Sequence, residues 1–213
     1  MKPFIVTGTD TDVGKTVVSA MLTLGLDAVY WKPIQSGTEG GTDRMRVAEL
    51  TGLSASHFRA ERYCLRNPLS PHRAAELDGI EISPSELYLP QDIPPARRLI
   101  IEGAGGLLVP LNRGLLQIEL FTQWQAPVIL CARTSLGTIN HTLLSLEALK
   151  QRSIDVLGII FVGDAMPDSE RTIVEFGGFP KLGRLPFLET LDHTTLRAAF
   201  DQHFHRRDFE ACP

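Results

Sequence analysis

The sequence predicts a single α/β domain, a doubly wound and mostly parallel sheet with helices on both faces. The first observation is a series of short, almost uninterrupted apolar runs at residues 4–7, 28–31, 99–102, 128–132, 156–162 and 182–185. Strands buried on both faces lack the alternation of a half-exposed strand, so these runs favour a parallel sheet. The second observation is that helical patterns lie between the runs, which implies right-handed βαβ units.

The helices follow from local patterns. They are predicted over residues 16–24, 43–50 and 143–150, with a fourth beginning at residue 169. Leucines recur at helical spacing in 143–150. The fourth helix has Glu170 in its first turn and ends before Gly177 and Gly178, an arrangement typical of helix boundaries. These elements account for most of the chain outside residues 33–97.

Length and composition indicate how the chain is organised. It has 213 residues, 43% of them hydrophobic and 22% charged, which excludes a disordered, collagenous or coiled-coil protein. No internal repeat or linker is apparent. The interval 33–97 is long and proline-rich, and such connections are usually functional or partly helical. We therefore predict one domain over residues 1–213, with an insert at 33–97 that contributes to a site.

Charge argues against nucleic-acid binding. The net charge is −4 and the isoelectric point is about 5.9. The densest basic spots are Arg97 with Arg98 and Arg206 with Arg207, which we interpret as solvated surface. Because non-specific nucleic-acid binding depends on neutralising phosphates, we expect no nucleic-acid partner.

No targeting or cross-linking feature stands out. Apolar runs fall far short of the ~20 residues of a membrane helix, and the N-terminus has no signal-peptide pattern. The three cysteines, Cys64, Cys131 and Cys212, form no C-x-x-C pair, so a disulfide framework or structural zinc site is not expected. We expect a cytoplasmic protein without a membrane partner.

The strongest motif follows the first predicted strand and opens the first helix. It runs from Gly8 through Gly14, Lys15 and Thr16. Backbone N–H groups in such a loop bind phosphate oxygens, the lysine reaches the β and γ phosphates, and the hydroxyl ligates Mg²⁺. Five residues separate Gly8 from Gly14, whereas the strict Walker pattern has four. The alternative is an ordinary strand-to-helix turn with a solvated lysine.

Two further charged residues fall at predicted strand ends. Lys32 follows the second strand, and Glu102 ends the strand at 99–102, just before a glycine-rich turn. Ligands of open α/β sheets bind outside the carboxyl ends of the strands. Glu102 is thereby placed to hold Mg²⁺ and Lys32 to face phosphates. Taken alone, either residue is more often a surface charge; together with the phosphate-binding loop, the functional interpretation is favoured.

Together these segments resemble the dethiobiotin synthetase family, whose fold is that of P-loop nucleoside triphosphatases. The similarity spans most of the chain in the family's order and rests on residues 6–16, 32–37, 70–72, 102–106, 136–141 and 182–186. It implies an ATP-dependent cyclo-ligase that converts 7,8-diaminononanoate and CO₂ to dethiobiotin, through a carbamate and a carbamic-phosphoric anhydride. It also implies a homodimer with the site at its interface.

The resemblance implies a role for each matching residue. Lys15 and Lys32 would be catalytic, and Lys32 would also contact the substrate. The implied Mg²⁺ ligands are Thr16, Asp43 and Glu102, although Asp43 is also a candidate helix N-cap. The implied ATP-binding residues are Asp12, Val13, Gly14, Lys15, Thr16, Val17, Asp43, Glu102, Gly103, Ala104, Gly105, Asp164, Pro186 and Leu188. The implied substrate-binding residues are Thr11, Lys32, Ser36, Gly137, Thr138 and Asn140.

One departure from the family concerns nucleotide choice. After the strand at 156–162 the family commonly has Asn-Asp, whose asparagine contacts adenine, and here the pair is Gly163 and Asp164. Glycine has no side chain for that contact, so we expect weaker discrimination among nucleoside triphosphates.

Two other functions fit the phosphate-binding loop. One is a nucleotide-switch ATPase of the partitioning class, although Asp10 and Asp12 stand where that class carries a second lysine. The other is a protein that binds nucleotide without catalysis, against which the intact Lys15, Lys32 and Glu102 argue.

Overall fold

A central sheet of seven parallel strands organises residues 1–210, the part of the chain that this computed structural model describes. The strands are β1 (Phe4–Gly8), β2 (Val29–Trp31), β3 (Ile34–Ser36), β4 (Phe58–Arg59), β5 (Tyr63–Leu65), β6 (Leu99–Gly106), β7 (Pro110–Asn112), β8 (Leu115–Leu116), β9 (Val128–Arg133), β10 (Val156–Val162) and β11 (Lys181–Leu185). The order in the central sheet is β11-β10-β9-β1-β6-β2-β4. β3 and β5 form a small parallel pair, and β7 and β8 an antiparallel one.

Helices cover both faces of the sheet. They are α1 (Lys15–Leu26), α2 (Asp43–Thr51), α3 (Pro71–Asp78), α4 (Gln117–Trp124), α5 (Thr138–Gln151), α6 (Pro167–Gly177) and α7 (His193–His203). Because successive side chains of a strand point to opposite faces, β1 contributes Phe4 and Val6 to a core with α1, α2 and α7, and Ile5 to a core with α3 to α6. The predicted doubly wound α/β fold is confirmed.

Several elements, most of them short, were not predicted from the sequence. β4 is the edge strand of the central sheet and has only two residues, too few for a periodic pattern. The helices α3, α4 and α7 were also missed. α5 begins at Thr138, ahead of the leucine pattern at 143–150. Because its first turn is polar, that pattern does not mark where the helix begins. Among residues 1–210, no helix is both long enough and apolar enough to span a membrane.

One surface prediction was wrong. Arg98 is buried, with its guanidinium 4.0 Å from the centre of the Phe4 ring and a hydrogen bond to the carbonyl of Lys2. Arg97, Arg206 and Arg207 are at least partly exposed. An arginine stem buries readily along apolar surface, so a pair of arginines in sequence does not fix the exposure of either one.

The two cysteines inside the described residues are unpaired. Cys131 is buried in β9, and burial raises the pKa of its thiol to about 12. Cys64 is exposed. Cys212 lies outside the described residues, so the cysteine prediction is met only for the other two.

The C-terminal segment is packed as far as it is described. Phe204 bridges to Gly183 of β11. Phe209 is buried, with its ring centre 6.3 Å from that of Phe4 and 6.1 Å from that of Phe200. The segment after α7 therefore closes the core on the α1 side.

Candidate active site

The strand order brings the predicted site residues to one edge of the sheet. β6 lies between β1 and β2, with Val6 opposite Glu102 and Trp31 opposite Ile101. Lys32 and Glu102 therefore extend from adjacent strands, next to the loop that follows β1. They line a cleft of about 910 Å³, here called the main cleft. Its lining includes Thr11, Asp12, Gly14, Lys15, Thr16, Val17, Lys32, Gln35, Ser36, Asp43, Glu102, Ala104 and Gly105.

The loop after β1 has the conformation of a phosphate cradle. Gly14 has a φ of 93° and precedes α1 directly, and an added Cβ there would lie 2.9 Å from Val162. The ammonium of Lys15 donates to the carbonyl oxygen of Asp10 at 2.8 Å, across the loop. Burial lowers the pKa of Lys15, while nearby Glu102 opposes that effect. A partly desolvated lysine at a helix start attracts a phosphate strongly.

A buried ion network occupies the floor of the main cleft. The Lys32 ammonium pairs with Glu102 at 3.0 Å and with Asp43. Glu102, which is 1% exposed, also accepts hydrogen bonds from the hydroxyls of Thr16 at 2.8 Å and Tyr30 at 3.0 Å. Burial and the adjacent Glu102 carboxylate raise the pKa of Tyr30 well above its usual value.

Lys32 stays protonated in this environment. Burial alone would lower the pKa of its ammonium, but the carboxylates of Glu102 and Asp43 outweigh burial and raise it. A lysine with a raised pKa does not act as a base at neutral pH. Lys32 is therefore suited to stabilise anionic charge in the cleft.

Asp43 is held by groups that the sequence analysis did not single out. Its backbone N–H donates to Gln35 at 3.1 Å, and the adjacent Arg44 pairs with Glu61 at 2.9 Å. The N-cap of α2 is Thr42, which accepts from Met45, so the alternative role of Asp43 as N-cap was wrong. Gln35 was identifiable only as a polar residue near Lys32 at a strand end.

The oxygens of Thr16, Asp43 and Glu102 fit a hard divalent cation. The hydroxyl of Thr16 contacts the same Glu102 oxygen that Lys32 contacts, and Lys32 connects it to Asp43. Mg²⁺ usually takes one or two carboxylates and completes its shell with phosphates and water. Residues 1–210 contain no group of three or more His, Cys, Asp or Glu arranged around a metal position, as expected for so sparse a protein ligand set.

A second pocket of about 470 Å³, here called the apolar pocket, adjoins the same loop. It is lined by predicted residues Asp12, Val13, Gly14, Val17, Asp164, Pro186 and Leu188, and also by Arg133, Thr134, Ser135, Leu136, Val162, Met166, Leu185, Phe187 and Leu191.

The departure at Gly163 lies against this pocket. Both of its backbone polar groups are already used, because its N–H donates to Leu185 at 2.9 Å and its carbonyl accepts from Arg184 at 3.1 Å. Its φ is +121°, and an added Cβ would lie 2.6 Å from the Thr134 hydroxyl. Position 163 therefore offers a ligand neither a side chain nor a free N–H in this conformation, and its carbonyl oxygen already accepts one hydrogen bond.

The predicted substrate residues fall into two groups. Thr11 and Ser36 line the main cleft, and the buried hydroxyl of Ser36 has no hydrogen-bond partner within residues 1–210. Gly137, Thr138 and Asn140 lie at the start of α5 and do not line that cleft. Gly103 is also outside it, and packs against Gln117 instead. Residues 68–71 form one wall of the cleft; residues 70 and 71 belong to a segment that carries the family resemblance, but the sequence assigned none of the four a role.

Comparison with known proteins agrees with this geometry. The model of a family described as an AAA domain matches residues 2–195. ATP-dependent dethiobiotin synthetases from Rhodopseudomonas palustris (strain BisB5) and Agrobacterium fabrum are 56% and 52% identical to the chain. The first alignment covers 97% of this chain and 96% of the relative, and the second covers 99% and 98%.

Solved structures show the same fold in distant proteins. A ParA family ATPase from Chlorobium tepidum has a TM-score of 0.54 at 13% identity, over 94% of this chain and 92% of that one. The cell division ATPase MinD of Pyrococcus furiosus has a TM-score of 0.52 at 12% identity, over 99% of both chains. Because these identities are low, the two structures establish only the fold. The sequence identity above one half over nearly the full length, by contrast, shows that the chain belongs to the dethiobiotin synthetase family.

Proposed function

We propose that this protein is an ATP-dependent cyclo-ligase that forms dethiobiotin, ADP and phosphate from 7,8-diaminononanoate, CO₂ and ATP. The observation that carries the proposal is the ion network of the main cleft, in which Lys32, Asp43 and Glu102 converge beside Lys15 of the phosphate-binding loop. In a member of this family, that network is suited to an anionic nucleophile and a triphosphate. The domain contributes Ser36 and Asp43 to the site from its insert at 33–97.

The chemistry requires one anion to approach another. One amine of the diamine takes up CO₂ as a carbamate, which attacks the γ-phosphate and forms a mixed anhydride. The second amine then closes the ureido ring and expels phosphate. Most of the catalysis in phosphoryl transfer is positioning and neutralisation of charge. Lys15 and Lys32 both line the cleft and would supply positive charge there, and the carboxylates beside Lys32 favour its cationic form by raising its pKa.

Mg²⁺ would be held by Thr16, Asp43 and Glu102 and would supply further neutralisation of the triphosphate. The residues of the phosphate-binding loop, with Ala104 and Gly105, would surround the phosphates, and Gly103 would support that end of β6 from behind; residues 103–106 continue the strand and do not form the turn that the sequence predicted. The apolar pocket would hold the nucleobase, with Asp164 at its rim. Because ATP is the co-substrate, we place the enzyme in the cytoplasm.

A second copy of the chain would complete the substrate site. Thr11 lines both the main cleft and a neighbouring depression of about 410 Å³ that reaches α5. Two leucines beside that depression, Leu108 and Leu144, are 54% and 56% exposed. Exposed leucines grouped on one face are typical of an interface. Gly137, Thr138 and Asn140 would then serve the partner's substrate, whose carboxylate would meet the start of α5.

The dimer is tested by placing a charge on this face. Leu144→Glu should convert the protein to a monomer in analytical ultracentrifugation and abolish most of its activity. Tyr88→Glu, at an exposed side chain outside the face (69% against 56% for Leu144), should do neither. A fully active monomer, of either the wild type or the Leu144 variant, would refute the shared site.

The ligase activity is tested by phosphate release from ATP, Mg²⁺ and bicarbonate, with and without 7,8-diaminononanoate. We expect release only with the diamine, together with dethiobiotin in equal amount by mass spectrometry. Release that is independent of the diamine would favour a nucleotide-switch ATPase instead. ATP binding without release would favour a protein that only binds nucleotide.

A further inference from the structure

An ion cluster with a buried carboxylate at its centre lies next to the apolar pocket, and its side chains line a separate depression. Glu170 of α6 is buried and pairs with Lys181 at 2.5 Å and with Arg184 at 3.4 Å, both from β11. The similarity to the family includes Arg184, but the proposed chemistry gives it no role. The cluster therefore needs an explanation of its own.

The cluster is hydrogen-bonded to residues 163–166, the segment that forms one wall of the apolar pocket. Arg184 donates to the carbonyl of Gly163 at 3.1 Å, and Glu170 accepts from the backbone N–H of Met166 at 3.2 Å. The two residues between those anchors include Asp164, and Asp164 and Met166 both line the apolar pocket. Arg184 and Glu170 thus hold both ends of the wall formed by residues 163–166.

Arg184 makes its two contacts with two different nitrogens of one planar group. Its Nη1 reaches the Gly163 carbonyl while its Nε faces Glu170. A lysine has a single ammonium nitrogen and lacks this forked geometry, so we expect it to reproduce the pair of contacts only in part. Lys181 pairs with the same carboxylate but has no contact with residues 163–166 among the hydrogen bonds of the described chain, so it provides a matched comparison.

We propose that Arg184 is a positioning residue for nucleoside recognition: by fixing the wall at residues 163–166, it sets the affinity of the apolar pocket for the base. The inference rests on the proposed assignment of that pocket to the nucleobase. It does not involve the phosphates, because Arg184 lines the wall's far side and is absent from the main cleft.

The test compares a ligand that has a base with one that lacks it. Binding of Mg·ATP and of Mg·tripolyphosphate is measured by titration calorimetry on the wild type, Arg184→Ala, Arg184→Lys and Lys181→Met, each checked for folding by circular dichroism. Arg184→Ala should weaken ATP by ~10-fold, the scale of one lost charge-assisted hydrogen bond, and leave tripolyphosphate unchanged. The ATP affinity of Arg184→Lys should lie between those of the wild type and Arg184→Ala. Lys181→Met should bind ATP and tripolyphosphate as the wild type does.

Turnover measurements add a second criterion. In Arg184→Ala, the KM for ATP should rise by the same factor while kcat and the KM for the diamine stay near the wild-type values. Unchanged ATP affinity, equal weakening of both ligands, or an equal loss in Lys181→Met would overturn the proposal. If Arg184→Ala does not fold, Arg184→Lys decides. Because the calorimetry needs no turnover, it gives an answer even if the ligase assignment fails.

Discussion

At the floor of the main cleft, Lys32, Glu102 and Asp43 form a network in which every charge has a partner. In the apolar pocket, which adjoins the same loop, most of the lining is hydrophobic, and Gly163 offers neither a side chain nor a free N–H. Both regions are built on the carboxyl ends of adjacent strands.

Under the proposed function, the two regions differ because each recognises a different part of the nucleotide. A buried charge without a partner is costly, so a site for phosphates has to be assembled from matched charges at fixed positions. An apolar cavity for a flat ring needs only suitable shape, and many residue combinations supply that. We therefore expect substitutions in the first region to have large effects, and changes of base in the second to have small ones.

The largest effect is expected at Lys32. Lys32→Ala should lower turnover by at least ~100-fold, about 2.7 kcal/mol of transition-state stabilisation, because the cation that faces the carbamate and the transferring phosphoryl group is lost. Steady-state kinetics with all substrates saturating measures it. Lys150→Ala, which removes an exposed lysine near the end of α5, is the control. Near-wild-type turnover of the Lys32 variant would contradict the assignment.

A second substitution tests the metal side of the same network. Glu102→Gln keeps the shape of the side chain but removes its charge, so the Mg²⁺ concentration for half-maximal activity should rise ~10- to 100-fold, as it does when metal-site partners are lost. Glu175→Gln, on the exposed surface of α6, should leave it unchanged. A Glu102 variant with an unaltered Mg²⁺ requirement would show that this carboxylate serves Lys32 alone.

These charged residues are also the part of the site that the sequence predicted best. Lys15, Lys32 and Glu102 each follow a strongly apolar strand, and the rule that ligands bind at the carboxyl ends of such strands was enough to bring them together. Asp43 was inferred only through the family, because nothing local indicates that the start of α2 folds back against Lys32.

The remaining parts depend on contacts that a sequence does not display. The wall at residues 68–71 and the edge strand β4 both lie in the long insert, where short segments have no periodic pattern. The exposure of Arg98 was mispredicted because the neighbouring Phe4 ring, nearly a hundred positions away in the chain, provides its surface. The start of α5 does not line the main cleft. Its predicted role in substrate binding therefore requires a second chain, and the proposed dimer experiment tests that requirement.

A third prediction concerns the backbone at Gly163. Gly163→Ala should lower the free energy of unfolding by ~1–3 kcal/mol, because its φ of +121° disfavours a side chain and the new Cβ would meet the Thr134 hydroxyl at 2.6 Å. Gly178→Ala has a positive φ but no atom within 4 Å of the new Cβ, and should cost less. Urea denaturation measures both. Equal losses would mean that the contact with Thr134 relaxes freely.

The smallest effect is expected when the base itself is changed. A side chain that reads a base typically contributes ~1–3 kcal/mol of discrimination, and position 163 has no side chain and an N–H that is already bound to Leu185. The triphosphate contacts are the same for every nucleotide. We expect kcat/KM for GTP and CTP to stay within ~10-fold of the value for ATP, a difference of about 1.4 kcal/mol. A preference for ATP of ~100-fold or more, measured under the same Mg²⁺ and diamine concentrations, would show that another polar group of the pocket, with Asp164 and Thr134 the first to substitute, reads adenine and that the apolar pocket is selective after all.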